Sequence, residues 1–409
     1  MYRRLGCRYK GVERMRKVKG LGTLLLAGAL LIGCGGSDTD KSPSKSEESN
    51  QTAEVTEVPT KEPTAEPTEE PAKETEEAET DREHEIELPE DQKLVADYTK
   101  VDGLIVEKGT RLAFVVKSTE TGYWKAVRQG VKQAVDDLNE TLGYTEEDKI
   151  TFTFEGPKTE TDVDAQINAL DAVVSENPSV LCLAAVDMGS CVAQLEAAQE
   201  NGIPVIILDS GVDSEELVYS VCATDNYAAG REAAKKLCEK IGDEGEVAIV
   251  SHLQVGESSK SRVEGFQDEI AENHPQVEVV QVAYEPQKEG DVTVEESIDA
   301  IMKLYPQLKG VFCTNESMGI KALQVLENYA DRGIQLVGFD MGPTQEEAIR
   351  NGKMAGVVSQ NPYGMGYATV VAGVRAILDM ENDAFVDAGY QWIDAENIDL
   401  EENQKYLYK

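Results

Sequence analysis

From Arg111 onward, short apolar runs alternate with segments in which apolar residues recur every three or four positions. The run Leu112–Val116 predicts a buried strand, and the apolar stripe from Trp124 to Leu142 predicts the helix after it. Further strands are expected at 150–154, 180–184, 205–208, 217–222, 247–250, 277–282, 310–313, 335–339 and 356–358. Further helices are expected at 162–175, 190–201, 226–241, 259–273, 293–304, 316–330, 344–351 and 363–381. This rhythm is typical of an α/β fold whose parallel sheets are covered on both faces.

The chain begins with a different pattern. A basic segment precedes the apolar stretch Leu21–Leu31, which is too short for a membrane span and typical of a secretory signal. It ends in Leu31-Ile32-Gly33-Cys34, which resembles the lipobox of bacterial lipoproteins. We therefore expect residues 1–33 to be a lipoprotein signal peptide and Cys34 to carry acyl chains such as palmitate, a lipid anchor to the extracytoplasmic face of the cell membrane. The alternatives are an ordinary signal peptide, and a start at Met15 instead of Met1.

Residues 34–91 are rich in Glu, Thr and Pro and contain no aromatic residue. Such a composition predicts a disordered acidic tether that holds a folded domain away from the membrane. The whole chain has 77 acidic and 39 basic residues and a net charge of −38. Nucleic-acid binding depends on clustered cations, so we expect no nucleic-acid partner.

Motifs for catalysis and metal binding are missing from the sequence. It contains no phosphate-binding loop with Lys and Ser or Thr, no GxSxG, no HExxH and no paired CxxC. The cysteines beyond the tether have spacings that match no metal pattern, and we expect small buried hydrophobic residues at Cys182, Cys191, Cys222, Cys238 and Cys313. The sequence therefore gives no support for catalysis, and we expect neither a cofactor nor a metal.

Polar residues follow the predicted strands at many points, and in parallel sheets ligands bind at the carboxyl ends of strands. Tyr123 and Trp124 open the first helix, although Trp124 also continues its apolar stripe and can equally pack in the core. Other residues at strand ends are Asp209, Asp225, Asn226, His252, Asn315, Asp340 and Gln360. An Asp or Asn there can instead cap the next helix, which is the competing interpretation for Asp225 and Asn226.

The order of several segments carries a resemblance. The segments are Val116-Lys117-Ser118 with Tyr123-Trp124, Pro204–Asp209, Thr224-Asp225-Asn226, Arg262–Phe266, Phe312–Met318 and Val337–Asp340. Over about residues 109–395 the chain resembles the type I periplasmic solute-binding proteins of ABC importers, particularly the ribose-, galactose- and xylose-binding group.

This resemblance implies two Rossmann-like lobes with parallel sheets, joined by three hinge crossings. Lobe one would comprise 92–223 and 361–389, and lobe two 224–360 and 390–409. The implied function is that of a monomer that captures a sugar, polyol or related small molecule and delivers it to an ABC permease and ATPase. The alternative is a ligand-presenting sensor subunit for a membrane histidine kinase or chemoreceptor, which would use the same site.

The resemblance also implies a set of ligand-binding residues, carried over by position. Thr121, Tyr123 and Trp124 would line the first lobe, where Asp209 would accept hydrogen bonds from hydroxyls. Second-lobe and hinge contacts would come from Lys260, Asn315, Asp340 and Gln360.

Three positions depart from the family pattern. Ala185 stands where the family has an asparagine, and Asp187 is nearby. Ser210 and Lys260 stand where the family has arginines, and Arg262 is close to Lys260. The loss of two guanidinium forks puts ribose in doubt and leaves another sugar, a polyol or a sugar-like signal open.

Overall fold

The computed structural model describes residues 96–286 and 290–408. The predicted signal peptide, Cys34 and the whole predicted tether lie outside these residues, as do residues 92–95 of the predicted first lobe. The strands within them are β1 Arg111–Val115, β2 Thr151–Glu155, β3 Val180–Leu183, β4 Val205–Leu208, β5 Ser220–Ala223, β6 Gly245–Ser251, β7 Val277–Tyr284, β8 Leu308–Cys313, β9 Gln335–Phe339, β10 Gly356–Gln360, β11 Phe385–Asp387 and β12 Tyr390–Ile393. The α-helices are α1 Gly122–Leu142, α2 Val163–Ser175, α3 Val192–Glu200, α4 Asn226–Ile241, α5 Glu257–Asn273, α6 Val294–Leu304, α7 Glu316–Leu326, α8 Pro343–Arg350 and α9 Pro362–Ile377.

These strands form two six-stranded sheets, in the orders β11-β5-β4-β3-β1-β2 and β12-β10-β9-β8-β6-β7. The recorded strand pairs are parallel except β10 with β12. The chain passes between the sheets after β5, after β10 and after β11. The predicted α/β fold with two parallel-sheet lobes and three crossings is thereby confirmed, while the lobe boundaries within the crossings stay predictions. We call the first sheet with α1–α3 and α9 the first lobe, and the second sheet with α4–α8 the second lobe.

Local differences from the predicted elements have a physical reason. The strand expected at 217–222 begins only at Ser220, because Leu217 and Val218 pack against the first-lobe core without joining the sheet. The helix expected to reach residue 330 ends at Leu326 and continues as a 3₁₀ segment. The short strands β11 and β12 were not predicted, because each contains a polar residue and neither forms a continuous apolar run.

Close helix packing sets the second-lobe side of the cleft. A Cβ atom at Gly230 of α4 would lie 2.3 Å from the Arg262 carbonyl oxygen, and one at Gly265 of α5 would lie 2.1 Å from that of Tyr227. Only glycine allows the two helix backbones to approach this closely. No helix within residues 96–286 and 290–408 is both long and apolar enough to cross a bilayer.

Candidate functional site

The two lobes contact each other where the carboxyl ends of their strands meet. Lys117, just after β1, donates from Nζ to Ser258 Oγ of α5 at 3.2 Å. The Ser258 amide donates to Ser210 Oγ of the first lobe at 3.4 Å, and Asn315 Nδ2 lies 3.5 Å from Glu160 Oε2. Polar side chains from both lobes are therefore withdrawn from water in one cleft.

Asp209 is the centre of the first-lobe side. It follows β4 in the left-handed region, with φ 64°, and its amide donates to the Cys222 carbonyl at 3.0 Å. Lys117 Nζ lies 2.9 Å from Oδ2, and the Tyr123 hydroxyl donates to Oδ1 at 2.6 Å. Burial alone would raise the pKa of Asp209, but Lys117 and Arg262 hold that pKa below its usual value. Asp209 is therefore a charged acceptor with fixed partners.

Asp340 occupies the equivalent position on the second-lobe side. It follows β9 with φ 70°, and its amide donates to the Val358 carbonyl at 2.8 Å. Gln360 Nε2 donates to Asp340 Oδ1 at 2.8 Å, and the Tyr408 hydroxyl lies beside the same carboxyl. Burial raises the pKa of Asp340. The buried Gln360 keeps its Oε1 without a hydrogen-bond partner among the described residues, so one acceptor at the hinge is open to a ligand.

Arg262 is the cation of the second lobe. Its Nε donates to Asn226 Oδ1 at 2.9 Å and its Nη1 to the Thr314 carbonyl at 2.8 Å. The guanidinium carbon lies 3.7 Å from the Phe339 ring centroid, which is a cation–π contact. Lys260 lies two residues earlier on α5 and is exposed. Residues two apart on a helix face different directions, so the structure brings Arg262, and not the predicted Lys260, into the cleft.

Two further carboxyl groups enter the cleft from the loop after β2 and from the start of α7. Trp124 Nε1 donates to Glu160 Oε1 at 2.8 Å, and burial raises the pKa of Glu160. Burial, together with neighbouring Asp340 and Glu160, raises the pKa of Glu316 to about 7. Carboxyl groups thus outnumber cations: Glu160, Asp209, Glu316 and Asp340 face Lys117 and Arg262.

Three other residues that were predicted to bind the ligand also have structural roles. Thr121 caps α1, since its side chain accepts from the Trp124 amide at 3.5 Å. The Trp124 ring is buried in the first-lobe core while its N–H reaches Glu160, so both interpretations of that residue apply. Asn315 caps α7 through Oδ1 at 3.0 Å from the Met318 amide and turns Nδ2 toward the cleft.

Four other candidates have local or supporting roles. Asp225 caps α4, as its carboxylate accepts from the Ala228 amide at 2.9 Å. Asn226 does not cap the helix but accepts from Arg262. Asp187 closes its own turn by accepting from the Gly189 and Ser190 amides, and the next residue, Met188, donates its amide to the Val255 carbonyl of the second lobe. His252 is buried against Thr314 Oγ1 at 2.9 Å, and burial lowers its pKa well below the usual value.

The site residues absent from the predicted set are Lys117, Glu160, Glu316 and Tyr408, with Arg262 in place of Lys260. Lys117 directly follows the first apolar run, so the rule that ligands bind at strand ends could have identified it. Tyr408 had no such signal, because it reaches the cleft only through the fold of the C-terminal segment onto Met341.

The sequence of this chain is similar to those of known binding proteins. A family model described as a periplasmic binding protein domain matches residues 112–379. The D-allose-binding periplasmic protein of Escherichia coli (strain K12) is 25% identical over 282 residues, which are 67% of this chain and 85% of that protein. A xylitol-binding protein of Mycolicibacterium smegmatis is 25% identical over 60% of this chain and 71% of its own length.

Solved structures extend the comparison. A solute-binding protein of an ABC transporter from Agrobacterium vitis, with bound D-fucose, superimposes with a TM-score of 0.66 and 28% identity over 73% of this chain and 100% of that one. A carbohydrate transporter solute-binding protein from Agrobacterium radiobacter, in complex with D-arabinose, gives a TM-score of 0.65 and 27% identity over 73% of this chain and 98% of that one. These similar proteins are named for binding small molecules, and none of them is named as an enzyme.

Proposed function

This chain belongs to the periplasmic binding protein domain family, and from that premise we propose that it is the solute-binding protein of an ABC importer for a monosaccharide or a related polyol. The relatives named for D-allose and xylitol, and the solved structures with D-fucose and D-arabinose, support this ligand class. They are named for binding and not for signalling, so a sensor subunit is not proposed.

One observation carries the proposal: the side chains between the lobes form a buried polar cluster drawn from both lobes and a hinge crossing. Asp209 offers carboxylate acceptors, Arg262 and Lys117 offer donors, and Gln360 has an open acceptor. A sugar presents hydroxyl groups that each need a partner when they are buried, and this cluster supplies donors and acceptors on opposite sides. The Tyr123 ring, buried at the start of α1, adds an apolar surface for the C–H faces of the ligand.

The proposal also covers the attachment of the protein to the membrane. Two acyl chains on Cys34 would hold the protein at the outer face of the membrane, and the acidic segment 34–91 would act as the tether. Cys34→Ala should release the protein into the medium or leave it unprocessed. Unchanged membrane fractionation of that variant, with the signal peptide still removed, would contradict the anchor.

Isothermal titration of the purified full chain with pentoses, hexoses and polyols tests the ligand class. We expect one binder with an affinity in the micromolar range, recovered chemically unchanged after incubation. Asp340→Ala should weaken that binder by about 5- to 150-fold, because a buried hydroxyl loses its partner.

The matched control is Asp225→Ala, which removes the carboxylate that caps α4. We expect it to leave affinity within a few-fold of the unmodified protein. Conversion of a bound compound, or equal losses in the two variants, would contradict the proposed function and site.

A further inference from the structure

The charges of the cleft are unevenly distributed. Both cations of the cleft act on Asp209 and lower its pKa. Among the described residues, the charged groups that act on Glu316 are Asp340 and Glu160, and both of these are acids. The cleft therefore has one end where cations balance the carboxyl groups and another end, at Glu316, where they do not.

The end at Glu316 is formed by groups from both lobes. Asn315 Nδ2 lies 3.5 Å from Glu160 Oε2, which brings the first lobe to the start of α7. The Glu316 carboxyl lies against the backbone at Gly342, where any side-chain Cβ would collide with Oε1. Asp340 is two residues before Gly342 and carries the third carboxyl group. We call the carboxyl groups of Glu160, Glu316 and Asp340 the acidic end of the cleft.

The acidic end has hydrogen-bond acceptors that lack donors. Neither carboxyl oxygen of Glu316 has a hydrogen-bond partner among the described residues. Gln360 donates from Nε2 to Asp340 Oδ1 at 2.8 Å, while its own Oε1 is buried and unpartnered within residues 96–286 and 290–408. The Gln360 side chain is only 2% exposed, and a buried polar atom normally has a partner. This open acceptor is an observation independent of the charges, and it indicates that a donor binds here.

We propose that the ligand is an amino sugar or amino polyol, and that its protonated amine binds at the acidic end of the cleft. This inference rests on the proposed function, because it adds one charged group to the sugar or polyol proposed there. An ammonium group has three donors and no acceptor, so it can bond carboxylates and an amide oxygen together. A hydroxyl has one donor, and its lone pairs would face the remaining carboxylates.

Repulsion between the acids supports the same ligand. Burial raises the pKa of all three carboxyl groups, and neighbouring acids raise each of them further. For Glu316, which has no cation beside it among the described residues, the pKa rises to about 7. A cation at the acidic end would favour the charged form of each group. The amine would therefore relieve a repulsion that the ligand-free protein has to bear.

The test is isothermal titration of the full chain at pH 8 with matched sets of ligands. The parent compounds are D-allose, D-fucose, D-arabinose and xylitol. Each set adds the derivatives in which an amine replaces one hydroxyl other than the anomeric one, and their N-acetyl forms. We expect one amino compound to bind about 10- to 150-fold more tightly than its parent, because hydrogen bonds between charged groups are the stronger kind. The N-acetyl form lacks the charge and should lose this advantage.

Glu316→Gln tests the position of the amine. The amino compound should lose about tenfold or more in affinity, whereas the parent should change by less than about threefold. The matched control is Glu257→Gln, because Glu257 starts α5 as Glu316 starts α7, and burial raises the pKa of both carboxyl groups. Glu257 differs in having Lys117 and Arg262 as neighbours. We expect Glu257→Gln to leave the affinity ratio of amino compound to parent within about threefold.

Two results would overturn this inference. The first is a parent compound that binds as tightly as all of its amino derivatives, and in that case the bound sugar or polyol still supports the proposed function. The second is an amine advantage that Glu316→Gln retains in full, which would place the amine elsewhere. If no compound of any set binds, the proposed function fails together with the inference.

Discussion

Asp209 and Asp340 occupy the same position in the two lobes and differ in their partners. Each follows a central strand, has a left-handed φ near 64° or 70°, and donates its amide to the neighbouring strand. Asp209 contacts the Lys117 ammonium, whereas Asp340 accepts from the neutral Gln360 amide. The pKa of Asp209 is lowered while that of Asp340 is raised. The repeated backbone thus positions two carboxyl groups, and their neighbours decide how strongly each one holds its charge.

The cations of the two lobes differ in the same way. Lys117 pairs directly with Asp209, and both side chains are about 95% buried. Arg262 is held by Asn226, the Thr314 carbonyl and the Phe339 ring, and not by a direct ion pair with Asp340. The first-lobe side therefore depends on a buried ion pair, and the second-lobe side on neutral hydrogen bonds around a stacked guanidinium.

The largest expected effect comes from breaking that ion pair. Asp209→Asn removes the carboxylate that pairs directly with the buried Lys117 ammonium and leaves Glu160 as a more distant neighbour, and we expect a loss of up to about 3–5 kcal/mol in the free energy of unfolding. Asp340→Asn should cost about 1 kcal/mol, because an amide can still accept from Gln360. Urea unfolding of the ligand-free protein at pH 7 measures both.

The double variant Asp209→Asn with Lys117→Met sharpens the result. Replacing both partners removes the unpaired charge, so most of the lost stability should return. Equal losses for the Asp209 and Asp340 single variants would show that the two lobes do not differ as their contacts indicate.

A smaller effect is expected for the second-lobe cation. Arg262→Lys keeps the charge but cannot bond both Asn226 and the Thr314 carbonyl or stack on Phe339, and should cost about 1–3 kcal/mol in unfolding free energy. Lys260→Ala, on the exposed side of the same helix, should change stability by no more than about 0.5 kcal/mol. A larger loss of unfolding free energy for the Lys260 variant than for the Arg262 variant would contradict the placement of Arg262, and not Lys260, in the cleft.

The difference between the lobes also explains what could be predicted from the sequence. Apolar runs and helical stripes predicted most elements and the strand ends that carry Asp209 and Asp340, because sheet and helix periods are local signals. The side chains that contact these two aspartates were harder to predict. Lys117 and Glu160 depend on which loops meet in space, and the choice of Arg262 over Lys260 depends on the rotation of α5. Tyr408 requires knowledge of a contact between distant parts of the chain.

The smallest predicted effect is a pH dependence at Glu316, which starts α7 beside Asp340. A helix N-terminus lowers a carboxyl pKa, but here burial and the neighbouring acids dominate and raise it from 4.5 to about 7. Between these values the folded state binds a proton that the unfolded state releases, so stability falls as pH rises from about 4.5 to 7. Glu316→Gln removes this dependence: it should match the unmodified protein near pH 4.5 and be about 1–2 kcal/mol more stable at pH 8.

Glu327, at the other end of α7, has its pKa lowered by its hydrogen bond to Lys353, so Glu327→Gln should give no gain in stability at pH 8. Urea unfolding at the two pH values compares the variants, and a Glu316→Gln protein no more stable than the unmodified protein at pH 8 would show that the second-lobe carboxyl groups are not mutually destabilised.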